Sequence, residues 1–378
     1  MKPRAADLGI RIGRMEPGPL DAITDVPGVR VGHATIVRGD GPLRVGEGPV
    51  RTGVTVVLPH DGDIWTEPIF AGAHRLNGNG ELTGLEWIRE HGMLAGAIGI
   101  TNTHSVGVVH DAIIEAGARA HGMRDTIWAL PVVGETYDGA LNDINGFHVR
   151  PEHVHRAIAD AADGPVAEGN VGGGTGMICH EFKGGIGTAS RRAGEAQWTV
   201  GVLVQANYGT RELLRIDGVP VGAHLGRDAV PSPWDQAEEV AGRAGPEGGS
   251  IIGIVATDAP LLPHQCARLA QRVGLGVGRM GGYASHGSGD LFLAFATGNR
   301  DLSRNAGEDD PRPTTGLRMV VDEHINPLLE ATVEATEGAI THALLAAETM
   351  TGRDGITAHA LDHGRLVELM RAHGRATP

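Results

Sequence analysis

The stretch Gly248-Gly249-Ser250-Ile251-Ile252-Gly253-Ile254-Val255-Ala256-Thr257 decides how this chain is read. Up to Gly249 the sequence is polar and glycine-bearing, through Pro246, Glu247 and Gly248. From Ile251 it is apolar and β-branched. A loop therefore ends at Gly249, and a buried strand begins at Ser250. A cut before Ser250 would leave that serine N-terminal on a rigid strand, with a hydroxyl nucleophile and a free α-amine to act as its base. Such a cut needs Ser250 Oγ to reach the Gly249 carbonyl. An N-to-O acyl shift then gives an ester, which water hydrolyses. Glycine at 248 and 249 admits backbone angles closed to other residues. The freed amine would have a pKa of about 7.7–8.0, close to working pH for a general base. Taken alone, Gly-Gly-Ser is a flexible loop end, and the abrupt junction with a buried strand is what raises the chemical reading.

Working outward, further strand-like runs are Val54 to Leu58, Gly96 to Ile100, Ile127 to Val133, Trp198 to Ala206 and Leu291 to Thr297. Several are apolar throughout, which predicts strands covered on both faces. Helical patterns cover Gly84 to His91, Ser105 to His121, His264 to Val273, about Asp322 to Met350 and about Leu361 to His373. For the third, Asp258 is the expected N-cap, with Pro260 near the first turn. This alternation predicts helices layered around packed sheets. Pro231 to Gly249 is expected to be an exposed loop or linker, and Arg300 to Thr315 a second polar loop. No repeat of solenoid period is present.

Composition narrows the function. The 378 residues fit one large domain or two interlocked ones, and 41% hydrophobic residues give a substantial core. Aromatics make up 3%, so Val, Ile, Leu and Ala must build that core. Asp and Glu outnumber Lys and Arg by 46 to 32, and no basic cluster of the kind a nucleic-acid binder shows is present. Cys179 and Cys266 have apolar neighbours and read as buried free thiols. Without a signal-peptide core or a membrane-length apolar run, a cytoplasmic protein is expected.

Polar groups cluster where strands end. Ser288 and Asp290 are two apart, so in extended backbone they share a side, and the carboxylate could orient the hydroxyl toward a nucleophile. The competing reading is a glycine-rich turn in which Asp290 binds backbone amides. His286 is a candidate base, although loop histidines are commonly just solvated. Glu135 and Tyr137 follow the strand expected at 127–133, and Asn207 and Tyr208 end the one at 198–206. An Asn amide can donate to an oxyanion. Turn chemistry is the bland alternative in each case. Gly276 to Gly281 matches a dinucleotide fingerprint without its βαβ context and is read as a turn. Gly172 to Gly176 lacks the Lys-Ser/Thr of a phosphate loop and is read as close backbone packing near the site. The 19 histidines show no H-E-x-x-H spacing, so no metal is expected.

Together TDVPGVRVGHAT (24–35), GITNTHSVG (99–107), PVVGETYDGALNDING (131–146), EGNVGGGTGM (168–177), VLVQANYG (202–209), GGSIIGIVATDAPLLPHQ (248–265) and GSGDLFLAFATGN (287–299) span nearly the whole chain. They resemble the L-aminopeptidase/D-amidase/D-esterase and β-peptidyl aminopeptidase family. The resemblance implies a four-layer αββα sandwich, α+β in class, like the N-terminal-nucleophile hydrolases but differently connected. It implies one structural domain over 1–378, cut between Gly249 and Ser250 into an α chain of 1–249 and a β chain of 250–378. It implies a homotetramer with no metal or other cofactor.

Carried over residue by residue, Ser250 matches the nucleophile, and Ser288 and Asp290 the pair that supports it. Asn207 matches the oxyanion-hole amide, Glu135 the carboxylate that holds the substrate's free amine, and Tyr137 a nearby active-site tyrosine. Family members carry Asp or Glu at the position of Asp290. The expected activity is release of N-terminal residues from short peptides, amides or esters through an acyl-enzyme on Ser250. Two alternatives remain open. One is an acyltransferase of the ornithine acetyltransferase type, which uses an N-terminal threonine. The other is an uncleaved, non-enzymatic binding protein.

Overall fold

A computed structural model of the protein describes residues 2–123, 128–241, 249–302 and 312–377. Among these, β1 (Arg30–Arg38), β2 (Val50–Leu58), β5 (Ile98–Asn102) and β6 (Val132–Thr136) form a sheet in the order β1-β2-β5-β6. A six-stranded sheet contains β3 (Ile69–Gly78), β4 (Met93–Leu94), β9 (Gly185–Ala193), β10 (Trp198–Asn207), β11 (Ser250–Thr257) and β12 (Gly289–Ala296). Its order is β4-β3-β12-β11-β10-β9, antiparallel except for the central β11–β12 pair. A short hairpin joins β7 (Ile178–Cys179) and β8 (Phe182–Lys183).

The helices are α1 (Leu85–His91), α2 (Val106–Ala120), α3 (Pro151–Ala159), α4 (Val221–His224), α5 (Pro233–Ala241), α6 (Pro263–Arg279), α7 (Asn326–Ala346) and α8 (His363–Ala372). α2 and α3 cover the outer face of the smaller sheet, where Val109, Ile113 and Val154 meet Val54, Val56 and Val133. α6 and α7 cover the larger sheet. The two sheets face each other through Val57, Ile98, Ile100, Val132, Leu203, Ile252, Ile254 and Leu293. The result is the expected αββα sandwich of α+β class.

Strand alternation explains why β11 is apolar throughout. Ile251 and Val255 pack toward α6 and α7, while Ile252, Ile254 and Ala256 pack toward the other sheet. Each fully buried Ile is worth about 1.5–3 kcal/mol relative to exposure. The residue at the head of this strand is therefore held on rigid scaffold.

Several sequence expectations are corrected. Pro233 to Ala241 is the helix α5 rather than linker, and residues 242–248 of that stretch lie outside the described residues. Trp234 and Ala237 of α5 pack beside Leu141, Ile178 and Ile356, which repays ordering a polar helix. Asp258 does not cap α6. Its carboxylate accepts from the Thr199 N–H at 2.7 Å, and the helix starts at Pro263 after Leu262. Gly276 and Gly278 lie inside α6, not in a turn, and Gly276 packs against Thr336 of α7. The strand expected over 127–133 runs from Val132 to Thr136, with 127 outside the described residues. The long helix is Asn326–Ala346. Of the loop expected over 300–315, residues 303–311 lie outside the described residues.

Candidate active site

Ser250 opens β11 on the face it shares with Ile252, toward the smaller sheet. It is 5% exposed and lines a cavity of about 700 Å³ together with Thr103, Glu135, Tyr137, Asn207 and Trp234. Its hydroxyl makes no hydrogen bond to a described residue. A serine hydroxyl on a cavity wall, with no hydrogen bond to a described residue, is available for chemistry.

The junction leaves no room for a side chain at 249. A Cβ there would lie 2.2 Å from the Asn207 carbonyl oxygen and 2.5 Å from Tyr208 Cα. Gly249 therefore packs tightly on the end of β10. Its carbonyl accepts a hydrogen bond of 3.1 Å from the Gly289 N–H.

Asn207 ends β10 as the register partner of Ser250. Its Oδ1 accepts from the Ile178 N–H at 2.8 Å, and its Nδ2 donates to the Tyr137 carbonyl at 3.0 Å. One partner is a pure donor and the other a pure acceptor, which fixes the amide's orientation. The second Nδ2 hydrogen remains for the cavity. Tyr137 contributes its carbonyl to this arrangement, while its half-exposed ring lies over Gly139 at the cavity wall.

Glu135 lies on β6 and lines the same cavity as Ser250. Its carboxylate is 3% exposed. One oxygen accepts from the Thr103 hydroxyl, and the other from the Glu81 N–H at 3.1 Å. Burial raises its pKa, and these two donors only partly offset that. An arriving cation would favour the ionised form, so the pocket is suited to an ammonium group.

Ser288 and Asp290 are brought together as expected, with the Ser288 hydroxyl donating to Asp290 Oδ1 at 2.7 Å. The pair does not hydrogen-bond the Ser250 hydroxyl. Ser250 pairs in register with Gly289, between them, so alternation turns both side chains to the opposite side of the sheet. There they line a second cavity of about 690 Å³ with Tyr208, Gly249, Tyr283 and His286. Burial pushes the Asp290 carboxyl up to about 6, and both its Oδ2 and the Tyr208 hydroxyl are buried without partners. The pair thus flanks the Gly249–Ser250 backbone rather than the serine hydroxyl. His286 lies on that cavity's wall, away from the Ser250 side.

Sequence reasoning missed Thr103, Trp234 and Lys183. Thr103 lies in GITNTHSVG, but only the fold brings it to Glu135. Trp234 lines both cavities. The available signal was a tryptophan in an otherwise polar stretch. Lys183 is fully buried beneath Asn207's support, and its signal was a lone lysine set between Phe182 and two glycines. The Gly172 to Gly176 run does pack close to neighbouring backbone, with Gly176 against the Arg51 carbonyl.

Known proteins resemble this chain over nearly its whole length. The model of peptidase family S58 matches residues 21–358. The beta-peptidyl aminopeptidase BapA of Sphingosinicella microcystinivorans is 48% identical over 377 residues, covering 99% of this chain and 93% of the relative. A beta-aminopeptidase from Burkholderia sp. superposes with a TM-score of 0.90 at 52% identity, covering 100% of both chains. The L-aminopeptidase D-Ala-esterase/amidase of Ochrobactrum anthropi, described as a new variant among the Ntn hydrolase fold, gives 0.89 at 43% identity, again covering 100% of both. These matches set aside the non-enzymatic reading. The chain belongs to peptidase family S58 and is an aminopeptidase, a hydrolase of peptide bonds.

Proposed function

We propose that the protein is a self-processing serine aminopeptidase that cuts its own chain between Gly249 and Ser250 and then releases N-terminal residues from short peptides, amino-acid amides or esters. The observation that carries this is the Ser250 hydroxyl at the head of a buried strand, without a hydrogen bond to any described residue and lining a cavity shared with Asn207 and Glu135.

In maturation, Ser250 Oγ attacks the Gly249 carbonyl carbon. The Gly289 N–H, already on that carbonyl oxygen, stabilises the developing charge. The C–N bond breaks, its nitrogen takes the proton, and an ester joins Gly249 to Oγ. Water then hydrolyses this ester, leaving a carboxylate on Gly249 and a free amine and hydroxyl on Ser250. The two chains stay together because β11 remains paired with β10 and β12.

In turnover, the substrate's ammonium group sits on Glu135, which places its carbonyl near Ser250. The α-amine of Ser250 takes the Oγ proton as Oγ attacks. Asn207 Nδ2 donates to the oxyanion. The leaving amine takes a proton, and water releases the acyl group. Ser288 and Asp290, lying along the strand backbone, hold the amine's charge and orientation. Both α- and β-amino-acid substrates fit this scheme, and the relatives' names favour β-peptidyl substrates. The working assembly is a homotetramer of processed units.

The test is hydrolysis of β-alanine and L-alanine p-nitroanilides by wild type and Ser250→Ala. Wild-type turnover with stoichiometric acylation at Ser250, both absent in the variant, supports the assignment. Undiminished turnover in the variant would refute it.

A further inference from the structure

Lys183, at the end of β8, is fully buried, and no carboxylate pairs with it among the described residues. Its Nζ donates to the carbonyls of Met177 at 2.8 Å, Gly184 at 2.8 Å and Gly174 at 3.3 Å. Burial pushes the ammonium down to about 7. Three carbonyl acceptors oppose this, because only the charged nitrogen carries three hydrogens to fill them. Removing an ammonium from water carries a desolvation penalty that filling the space with an apolar side chain would avoid.

What the charge touches gives it a use. The Met177 carbonyl and the Ile178 N–H belong to one peptide group. That N–H donates to Asn207 Oδ1 at 2.8 Å. A continuous path therefore runs from Lys183 Nζ through the 177–178 peptide to the Asn207 amide. At its far end is the Nδ2 hydrogen left for the cavity. Positive charge on the carbonyl end makes the peptide N–H a better donor. That in turn draws electrons from the Asn207 amide and makes its own N–H groups better donors. Such polarisation along a chain is strongest where water is excluded.

We infer that Lys183 is a positioning residue for the aminopeptidase reaction, fixing and polarising the 177–178 peptide so that Asn207 presents a stronger, correctly aimed donor to the substrate oxyanion. The inference rests on the assignment of Asn207 as the oxyanion donor.

The test is a double-mutant cycle between Lys183→Met and Asn207→Ala. It is read as kcat and KM on an amino-acid p-nitroanilide, per mole of exposed Ser250 N-terminus. Lys183→Met alone is expected to lower kcat about 10-fold, less than the roughly 10²–10³ of losing an oxyanion donor outright. KM should stay within about 2-fold, as for an interaction made only in the transition state. With Asn207 already replaced, Lys183→Met should cost less than about 2-fold, because the two act as one unit. Lys183→Gln keeps two donors without the charge. It should hold the turn in place while leaving kcat depressed, and it is the variant to use if Lys183→Met does not fold.

Equal losses in both backgrounds, or unchanged kcat in a folded variant, would overturn the relay. Failure of both Lys183 variants to fold would make the residue structural, and the inference would fall. Undiminished turnover in Asn207→Ala would instead defeat the oxyanion assignment beneath it.

Discussion

Asn207 and Ser250 are register partners at the shared end of two antiparallel strands. A proposed oxyanion donor and a proposed nucleophile are thus fixed by the ladder between β10 and β11, not by loops. Sites built on strands hold their geometry through backbone hydrogen bonds. The Asn207 amide has no freedom to turn, since both of its ends are tied to backbone groups.

Asn207→Ala should lower kcat by about 10²–10³ with little change in KM, as loss of an oxyanion donor does. Chain scission should persist in the same variant. The Gly249 carbonyl is bonded to the Gly289 N–H, and Asn207 does not contact it by hydrogen bond. Steady-state kinetics and gel analysis of one preparation separate the two reactions. An uncut Asn207→Ala chain would show that both reactions share one donor.

Glu135→Gln should remove the preference for a free amine. A hydrogen bond to a charged group is worth about 1.5–3 kcal/mol, so kcat/KM on a free-amine amide should fall about 10- to 100-fold. The N-acetylated amide, a poor substrate of wild type, should be little affected. A parallel loss on both substrates would place Glu135 outside amine recognition.

Gly249→Ala should slow self-cleavage. The added Cβ meets the Asn207 carbonyl oxygen and Tyr208 Cα, both backbone atoms that cannot move cheaply. The scissile peptide must shift out of line with Ser250 Oγ and the Gly289 N–H. The half-time of chain conversion after a translation block reads this directly, and conversion as fast as wild type would contradict it.

Asp290 sets a pH dependence of known sign. Burial raises its carboxyl to about 6, above its unfolded value of about 3.9. Across that window the native chain holds a proton that the unfolded chain has released, so this group's stability contribution falls as pH rises and levels off above 6. Asp290→Asn should therefore gain stability relative to wild type between about pH 4 and 6. Turnover runs the other way if the ionised carboxylate supports the amine, rising through about pH 6 in wild type and losing that inflection in Asp290→Asn. Urea midpoints and pH–rate profiles of the pair measure both.

The sequence made β11 legible because a strand covered on both faces must be apolar at every position. β9 was not legible for the converse reason. Its GIGTASRRA is small and polar because α7 lies directly on it, and a Cβ at Gly187 would sit 2.0 Å from the Ala339 carbonyl oxygen. Its Thr188, Ser190 and Arg191 find partners in Glu168 and the segment around Asp21 and Asp25, which no local pattern announces. The same limit applies at the site. The Ser288–Asp290 contact follows from spacing alone. The side of the sheet it occupies follows from the β11–β12 register, which spacing does not contain. Lys183 reaches Asn207 through a backbone peptide, a connection that exists only in three dimensions.

Everything proposed for the site depends on Ser250 becoming an N-terminal nucleophile. The most direct measurement is the intact mass, under denaturing conditions, of freshly purified wild type beside Ser250→Ala. Self-processing by Ser250 gives two wild-type species that part between Gly249 and Ser250, and one uncut mutant chain. A single uncut wild-type chain, or a mutant cut at the same bond, would contradict it.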